Sequence, residues 1–179
     1  MFGNFIDALS FAADKHMSQR RKGCDIVPYI NHPIKVANLL FTTAKESDFE
    51  LLSAAILHDV LEDTCTTEIE MRKKFGDRVT NLVIEVTDDM TMTYEDRKRS
   101  QIKKASFLTD DAKKIKIADK ISNIADMLEY PMTWSNRRKH QYLEWSVKVV
   151  KECRGINEHL DRAFDEIVKE ANIAIENQP

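Results

Sequence analysis

The sequence of 179 residues predicts a single all-α domain. Apolar residues recur every three or four positions along most of the chain, as they do on the buried face of a helix. Glycine and proline number only four each, whereas a β-sandwich or barrel needs many more turn residues. No segment shows a convincing strand alternation. We therefore expect one bundle of about eight to ten helices over residues 1–179, without a linker or a second domain.

The first helices are predicted at residues 5–16, from Pro33 through Leu40, and from Leu51 to about Glu62. Ser47 with Glu50 three residues later forms a capping-box pattern, which places Ser47 as the cap of the third helix. That helix is apolar nearly all round, so we expect it at the centre of the bundle. The stretch 20–25 is too charged for a core, so Arg21 and Lys22 can lie in an ordinary solvated turn or serve a binding function.

The second half of the bundle is predicted by the same signals. A second capping box, from Thr67 to Glu70, opens a fourth helix that ends at Gly76, a residue type common just after helix ends. Further helices are predicted at residues 79–86, 94–106, 112–128, 134–154 and 157–175, and Pro131 is expected to end the seventh.

Composition excludes several classes of protein. A net charge of −3, from 27 basic and 30 acidic residues, argues against a general nucleic-acid binder. No apolar run approaches the roughly 20 residues that a membrane-spanning helix needs, and the first residues lack the cationic region of a signal peptide. The 3 cysteines lack CxxC spacing, which fits a reducing compartment. We expect a cytoplasmic protein that contacts neither membrane nor nucleic acid.

Acidic residues follow the most apolar predicted helix. His58, Asp59, Glu62 and Asp63 form two pairs four residues apart, so a continuous helix would project them from one face. Ionised carboxylates at such a place are costly unless they are paired or bind a metal. This cluster is therefore a candidate site for a cation.

Two distant residues can complete such a site. His32 directly precedes Pro33 at the start of the second helix, and Asp119 interrupts an apolar stretch of the seventh. Two imidazoles and two carboxylates suit a divalent ion such as Mn²⁺. A single buried histidine is more often a hydrogen-bonded core residue, so the residues alone leave the metal site open. The remaining histidines, which lack this context, are expected on helix surfaces: His16, His140 and His159.

Basic residues cluster at 20–22, 97–99, 103–104 and 137–139. Each run can be an ordinary solvated helix face. If the metal site acts on a polyphosphate, however, some of these cations must converge on it to neutralise the substrate. Lys98 is selected as a candidate substrate-binding residue from its charge alone.

Several motifs in order resemble one known family. The pattern of His32, His58-Asp59 and Asp119 is similar to that of the HD phosphohydrolases. The stretches 21–22, 29–33, 58–64, 85–89, 117–123 and 142–145 further resemble the hydrolase domain of RelA/SpoT homologues, and most closely the stand-alone small alarmone hydrolases. The resemblance extends from about residue 11 to about residue 150.

This resemblance implies an HD-domain helical bundle and a Mn²⁺-dependent 3′-pyrophosphohydrolase that acts on the alarmone (p)ppGpp. The products would be GDP or GTP and pyrophosphate, and the reaction would end the stringent-response signal. The resemblance assigns one Mn²⁺ to His32, His58, Asp59 and Asp119, and the catalytic acidic pair to Glu62 and Asp63. It assigns nucleotide binding to Arg21, Lys22, Asn123, Arg138 and Tyr142, to which Lys98 is added.

Two alternatives remain open at this point. The same pocket could hydrolyse another phosphorylated nucleotide such as NADPH, or the domain could be an inactive sensor that only binds a nucleotide. An inactive sensor would be expected to have lost a ligand or the acidic pair, and all of these positions are present. We expect hydrolysis without synthesis, because no residues are left for a synthetase domain. The sequence leaves the oligomeric state open, a homodimer included.

Overall fold

A computed structural model describes residues 2–130 and 133–177 of the chain. Within these residues the predicted all-α class is confirmed, with one small hairpin added. The helices are α1 Phe2–Lys15, α2 Asn31–Thr42, α3 Phe49–Leu57, α4 Val60–Asp63, α5 Glu68–Val86, α6 Tyr94–Ala105, α7 Asp110–Glu129, α8 Asn136–Lys151 and α9 Glu158–Glu176, and the strands are β1 Arg20–Arg21 and β2 Cys24–Pro28. Pro131, expected to end the seventh helix, lies outside the described residues.

Two helices organise the core. Every residue of α3 from Leu51 to Leu57 is buried, and the helix packs against α1, α2 and α5. The other is α7, which packs against α2, α5, α8 and α9. Burial on all sides explains why α3 is apolar nearly all round, as the sequence predicted. The candidate site residues lie at the end of α3 and in the middle of α7, so the core itself positions them.

The charged stretch 20–25 is not a solvated turn. It forms most of an antiparallel hairpin between β1 and β2, with Gly23 at a φ of 87° in the turn. Arg21 and Cys24 are buried in it. Strands of two and five residues are too short to show an alternation in the sequence, which is why the hairpin escaped prediction.

The third predicted helix is shorter than expected. It ends at Leu57, and α4 begins at Val60 after a turn at His58 and Asp59. Asp59 has φ −100° and ψ −3°, at the edge of the right-handed helical region, and its carbonyl accepts the first helical hydrogen bond of α4, from the N–H of Asp63. The prediction that one continuous helix carries His58, Asp59, Glu62 and Asp63 on a single face is therefore wrong.

Capping explains most helix starts, with one correction. Thr67 accepts a hydrogen bond from the backbone N–H of Glu70, as predicted for the start of α5. The cap of α3 is Asp48 and not Ser47, because the extended backbone at Asp48 lets its carboxylate accept from the N–H of Glu50 at 2.9 Å. Likewise α8 begins after its cap Ser135, and it ends at Lys151 instead of residue 154.

Gly76 separates two helical halves within α5. Its φ of 82° and ψ of 175° are non-helical, so the predicted helix end at this residue is confirmed. None of the helices in the described ranges is both long enough and apolar enough to cross a membrane.

Replacing Gly76 with alanine is expected to destabilise the fold by roughly 1–3 kcal/mol, because only glycine adopts this backbone conformation readily. An added Cβ would meet no atom within 4 Å, so the loss would come from the backbone alone. The matched control is Gly3→Ala in α1, where open space also surrounds the Cβ and alanine favours the helix. Urea denaturation of both variants measures the difference. Equal stabilities for Gly76→Ala and the wild-type protein would contradict this account of the helix break.

Candidate active site

One cavity of about 450 Å³ collects every candidate residue named from the sequence. Its walls come from the β1–β2 hairpin, the turn between α3 and α4, and helices α2, α6, α7 and α8. The predicted residues that line it are Arg21, Lys22, His32, His58, Asp59, Glu62, Asp63, Lys98, Asp119, Asn123, Arg138 and Tyr142. Residues far apart in the sequence therefore share one space, although their individual roles stay predictions.

Two histidines and two aspartates meet at the bottom of this cavity. His58 Nε2 lies 3.0 Å from Asp59 Oδ2 and 3.9 Å from Asp119 Oδ1. His32 Nε2 lies 3.2 Å from Asp119 Oδ1 and 3.7 Å from Asp59 Oδ2. The four side chains thus turn their ligand atoms towards a common point. Within residues 2–130 and 133–177, His32, His58 and Asp59 form the group whose ligand atoms all lie within 4.8 Å of one another.

Outer hydrogen bonds orient the two imidazoles. His32 Nδ1 lies 3.0 Å from Ser122 Oγ, and His58 Nδ1 lies 2.8 Å from the backbone carbonyl oxygen of Ala55. A ring whose Nδ1 is held in this way directs Nε2 inward, as metal-binding histidines do. His58 Nε2 is buried and has no hydrogen-bond partner among the described residues. This orphaned nitrogen and the mixed nitrogen–oxygen donor set fit a divalent ion.

The electrostatics keep both aspartates ionised. Burial alone would raise the pKa of Asp119, but Lys120 and the imidazoles of His32 and His58 hold that pKa well below its usual range. Burial is likewise outweighed at Asp59, whose pKa is lowered by His58 and His32. Burial lowers the pKa of His32, with a further contribution from the charge of Arg21. Burial would also lower the pKa of His58, but the charges of Asp59 and Asp119 outweigh this effect, and that pKa is raised instead. Ionised carboxylates bind metals directly, whereas a metal ion at His58 would have to displace a proton.

The acidic pair, Glu62 and Asp63, has raised pKa values, in contrast to the two aspartates. Burial raises the pKa of Glu62, and its Oε2 accepts a hydrogen bond from the backbone N–H of Asp88 at 2.9 Å. Partial burial and then the negative charge of Asp59 raise the pKa of Asp63. Carboxyl groups with raised pKa values can hold and transfer protons nearer neutral pH. Both residues lie in α4, about one helical turn after Asp59.

Aromatic rings contact two of the cations that line the cavity. Lys98 Nζ lies 4.8 Å from the centroid of Trp145 and 5.0 Å from that of Tyr94. The guanidinium of Arg138 lies 4.3 Å from the ring of Trp134. These contacts hold charged groups in place at the cavity wall without neutralising them. The rings of Trp134, Tyr142 and Trp145 contact one another at steep angles, with adjacent centroids 5.6 and 5.5 Å apart.

Sequence reasoning missed several lining residues. Lys120 is buried, donates a hydrogen bond to Asp119 Oδ2 at 2.7 Å, and lies 4.4 Å from the centroid of Trp145. Its position in an apolar helix beside Asp119 was the available signal. Tyr29 belongs to the motif at residues 29–33, which does not indicate its role. Other missed lining residues are Gln19, Arg97, Gln101 and Lys116.

Arg21 does not lie in a solvated turn. It is 7% exposed, its Nε donates to Asp126 Oδ2 at 2.8 Å, and its Nη2 donates to Asn123 Oδ1 at 2.5 Å. Lys35 also binds Asp126, at 2.9 Å. Arg21 therefore ties the hairpin to α7 through a buried ion pair, and any contact with a ligand would be additional to this structural role.

Comparisons with known proteins agree with the geometry. The family model described as the HD domain matches residues 8–143. The chain is 43% identical to the mouse (Mus musculus) guanosine-3′,5′-bis(diphosphate) 3′-pyrophosphohydrolase MESH1 over 171 residues, 95% of this chain and 96% of the relative. It is 42% identical to the Drosophila melanogaster protein of that name, over 94% of this chain and 95% of the relative.

Solved structures give the same result. A metazoan orthologue of SpoT, described as hydrolysing ppGpp and as having a role in starvation responses, superimposes with a TM-score of 0.90 at 42% identity. The match covers 93% of this chain and 94% of that one. A protein from Listeria monocytogenes matches with a TM-score of 0.66 at 28% identity, over 80% of this chain and 94% of that one.

Arg21→Ala is expected to lower the free energy of unfolding by up to about 3 kcal/mol. This is the lower end of the cost of breaking a buried ion pair, since Lys35 would still partner Asp126. Thermal and urea denaturation measure the loss, with the exposed Arg162 in α9 mutated to alanine as the control. A stability for Arg21→Ala as high as that of the control would return Arg21 to the solvated turn that the sequence suggested.

Proposed function

The chain belongs to the HD-domain family and, within it, to the relatives of the RelA/SpoT hydrolases, and on this basis we propose that it hydrolyses the 3′-pyrophosphate of (p)ppGpp. The products are GDP or GTP and pyrophosphate, and their formation ends the stringent-response signal. One observation carries the proposal: the two-histidine, two-aspartate cluster, the acidic pair and a wall of aromatic-supported cations line the same cavity. A cavity with these three parts suits hydrolysis of a polyphosphate ester.

We assign one divalent ion, Mn²⁺, to His32, His58, Asp59 and Asp119. The orphaned His58 Nε2 and the ionised carboxylates support this assignment. When bound, such an ion polarises a phosphoryl oxygen and lowers the pKa of a coordinated water. Asn123 and Lys120 hold the two oxygens of Asp119, at 2.6 and 2.7 Å, and so fix that carboxylate before any ligand arrives.

Glu62 and Asp63 are assigned to proton transfer. Their raised pKa values favour a carboxyl group that exchanges a proton with water or with a leaving phosphate oxygen. The Asp88 N–H holds Glu62 Oε2, so the side chain is oriented while its other oxygen remains available for the reaction. The two residues follow Asp59 after one short turn, which keeps the acidic pair beside the metal cluster.

We assign binding of the substrate's phosphate groups to the basic residues that line the cavity. ppGpp carries a diphosphate on each side of its ribose, so one arm must reach the metal cluster while the other needs separate cations. Lys22, Lys98 and Arg138 line the cavity and supply them. Burial raises the pKa of Tyr142 to about 12, so its phenol stays neutral and can donate a hydrogen bond. Arg21 and Asn123, already bonded to each other, are assigned to the nucleoside.

The deciding experiment incubates the purified protein with ppGpp, pppGpp or NADPH, with and without Mn²⁺, and separates the products by anion-exchange chromatography. Release of pyrophosphate from ppGpp that depends on Mn²⁺ supports the proposal. Preferential loss of phosphate from NADPH would favour the other nucleotide hydrolase, and binding without turnover would identify a sensor. The cytoplasmic location and a homodimeric state stay predictions.

Asp59→Ala is expected to abolish hydrolysis and to remove most bound Mn²⁺, because it deletes a ligand that faces both imidazoles. The control is Asp14→Ala, an exposed aspartate of α1. EDTA should lower the melting temperature of the wild-type protein and of the control, since a ligand that binds only the folded state stabilises it. The Asp59 variant should show little response to EDTA. Stoichiometric metal and full activity in that variant would contradict the ligand assignment.

Glu62→Gln and Asp63→Asn are each expected to lower kcat at least about a hundredfold, the scale for loss of a positioned acid or base. Glutamine retains an oxygen that can accept the Asp88 N–H, so the fold and Mn²⁺ binding should persist. Glu166→Gln, at an exposed position of α9, is the control. Steady-state kinetics with ppGpp separates the two effects: an unchanged kcat with a higher KM would make the pair binding groups instead.

A further inference from the structure

Tyr29 contacts Asp59, one of the four proposed metal ligands. It lies between β2 and α2, and its hydroxyl donates a hydrogen bond to Asp59 Oδ2 at 2.6 Å. This is the same oxygen that lies 3.0 Å from His58 Nε2 and 3.7 Å from His32 Nε2. The phenol therefore holds the aspartate at the atom that faces both imidazoles.

The ring of Tyr29 packs against a buried histidine. It stacks on His16, with centroids 4.8 Å apart and planes inclined by 32°. His16 is 1% exposed, so the expected surface position of this histidine was wrong. The backbone N–H of Tyr29 also donates to the carbonyl of Gln19 at 3.1 Å. Both the ring and the backbone of Tyr29 are thus fixed by the segment that follows α1.

The residues that hold Tyr29 also contact Asp63 of the acidic pair. His16 Nδ1 lies 2.6 Å from Gln19 Oε1, and Gln19 Nε2 donates to the backbone carbonyl of Asp63 at 2.6 Å. One small group of residues, His16, Gln19 and Tyr29, therefore contacts α4 and the preceding turn at both Asp59 and Asp63. This arrangement supports a segment whose own helix is only four residues long.

Asp59 needs such support more than Asp119 does. Asp119 lies within the long helix α7, and Lys120 and Asn123 bind its two oxygens. Asp59 instead lies in the turn between two helices, with 18% of its side chain exposed. A carboxylate oxygen has two lone pairs, so Oδ2 can accept from Tyr29 and still bind a cation. Outer partners of this kind commonly contribute about 10–100-fold to metal affinity or activity.

We propose that Tyr29, seated on His16, is a positioning residue that holds the Asp59 carboxylate ready to bind the metal ion. The inference rests on the proposed function in that it takes Asp59 as a ligand. It attributes part of the metal affinity of the site to a residue that does not itself bind the metal.

The test is Tyr29→Phe, which keeps the ring on His16 and removes only the hydroxyl. Isothermal titration of metal-free protein with MnCl₂ should show a Kd raised about 10–100-fold, while the melting temperature in EDTA stays near that of the wild type. Hydrolysis of ppGpp should fall at low Mn²⁺ and recover largely at saturating Mn²⁺. Tyr130→Phe is the matched control, because its hydroxyl accepts a hydrogen bond from Lys35 outside the cavity lining.

Equal Mn²⁺ affinities for Tyr29→Phe and the wild type would overturn the inference, whatever the melting temperatures. A wild-type protein that binds no Mn²⁺ would overturn both the inference and the metal-dependent function. Mn²⁺ binding that weakens in the variant, in a wild-type protein that leaves ppGpp intact, would support the positioning role and overturn the proposed substrate. The metal titration therefore separates the two conclusions.

Discussion

Charge compensation in an apolar interior is the constraint on which the structure depends. Asp119 is buried in the middle of α7, and Asp59 follows a helix in which every residue from Leu51 to Leu57 is buried. An unpaired carboxylate at either place would cost several kcal/mol. The chain meets this constraint with Lys120, two imidazoles and a phenol, and their positions in turn define the cavity. The same charges that make folding costly are the ones we propose as ligands for a cation.

The two aspartates meet the constraint in different ways, and this difference shapes the site. Asp119 has permanent partners on its own helix, so its compensation is present before any metal binds. Asp59 has one neutral donor, Tyr29, and otherwise faces imidazoles. The charge of Asp59 is thus compensated by residues of other segments, whereas that of Asp119 is compensated within its own helix.

The sequence predicted most helices and the clustering of the candidate residues for identifiable reasons. Long amphipathic segments such as α7 carry their period in the sequence, and Thr67 and Gly76 mark ends through local backbone chemistry. Tertiary features were inaccessible. The turn at Asp59 is contacted by the distant residues Tyr29 and His32. The strands of the hairpin at residues 20–28 are too short to show an alternation, and the burial of His16 depends on the ring of Tyr29. Helical periodicity records which face of a helix is buried, but it does not record partners.

Arg21 combines a structural role with a position in the lining of the cavity. Its guanidinium bonds Asp126 and Asn123 of α7 while it lines the cavity, and Asn123 in turn donates to the Asp119 carboxylate. A chain of hydrogen bonds thus leads from the hairpin to a metal-ligand candidate. A nucleotide that engaged Arg21 would contact a group whose position is already fixed by folding, so little side-chain entropy would be lost on binding. If Arg21 binds the substrate as proposed, the stability of the hairpin and the recognition of the substrate depend on the same ion pair, and a substitution there would change both.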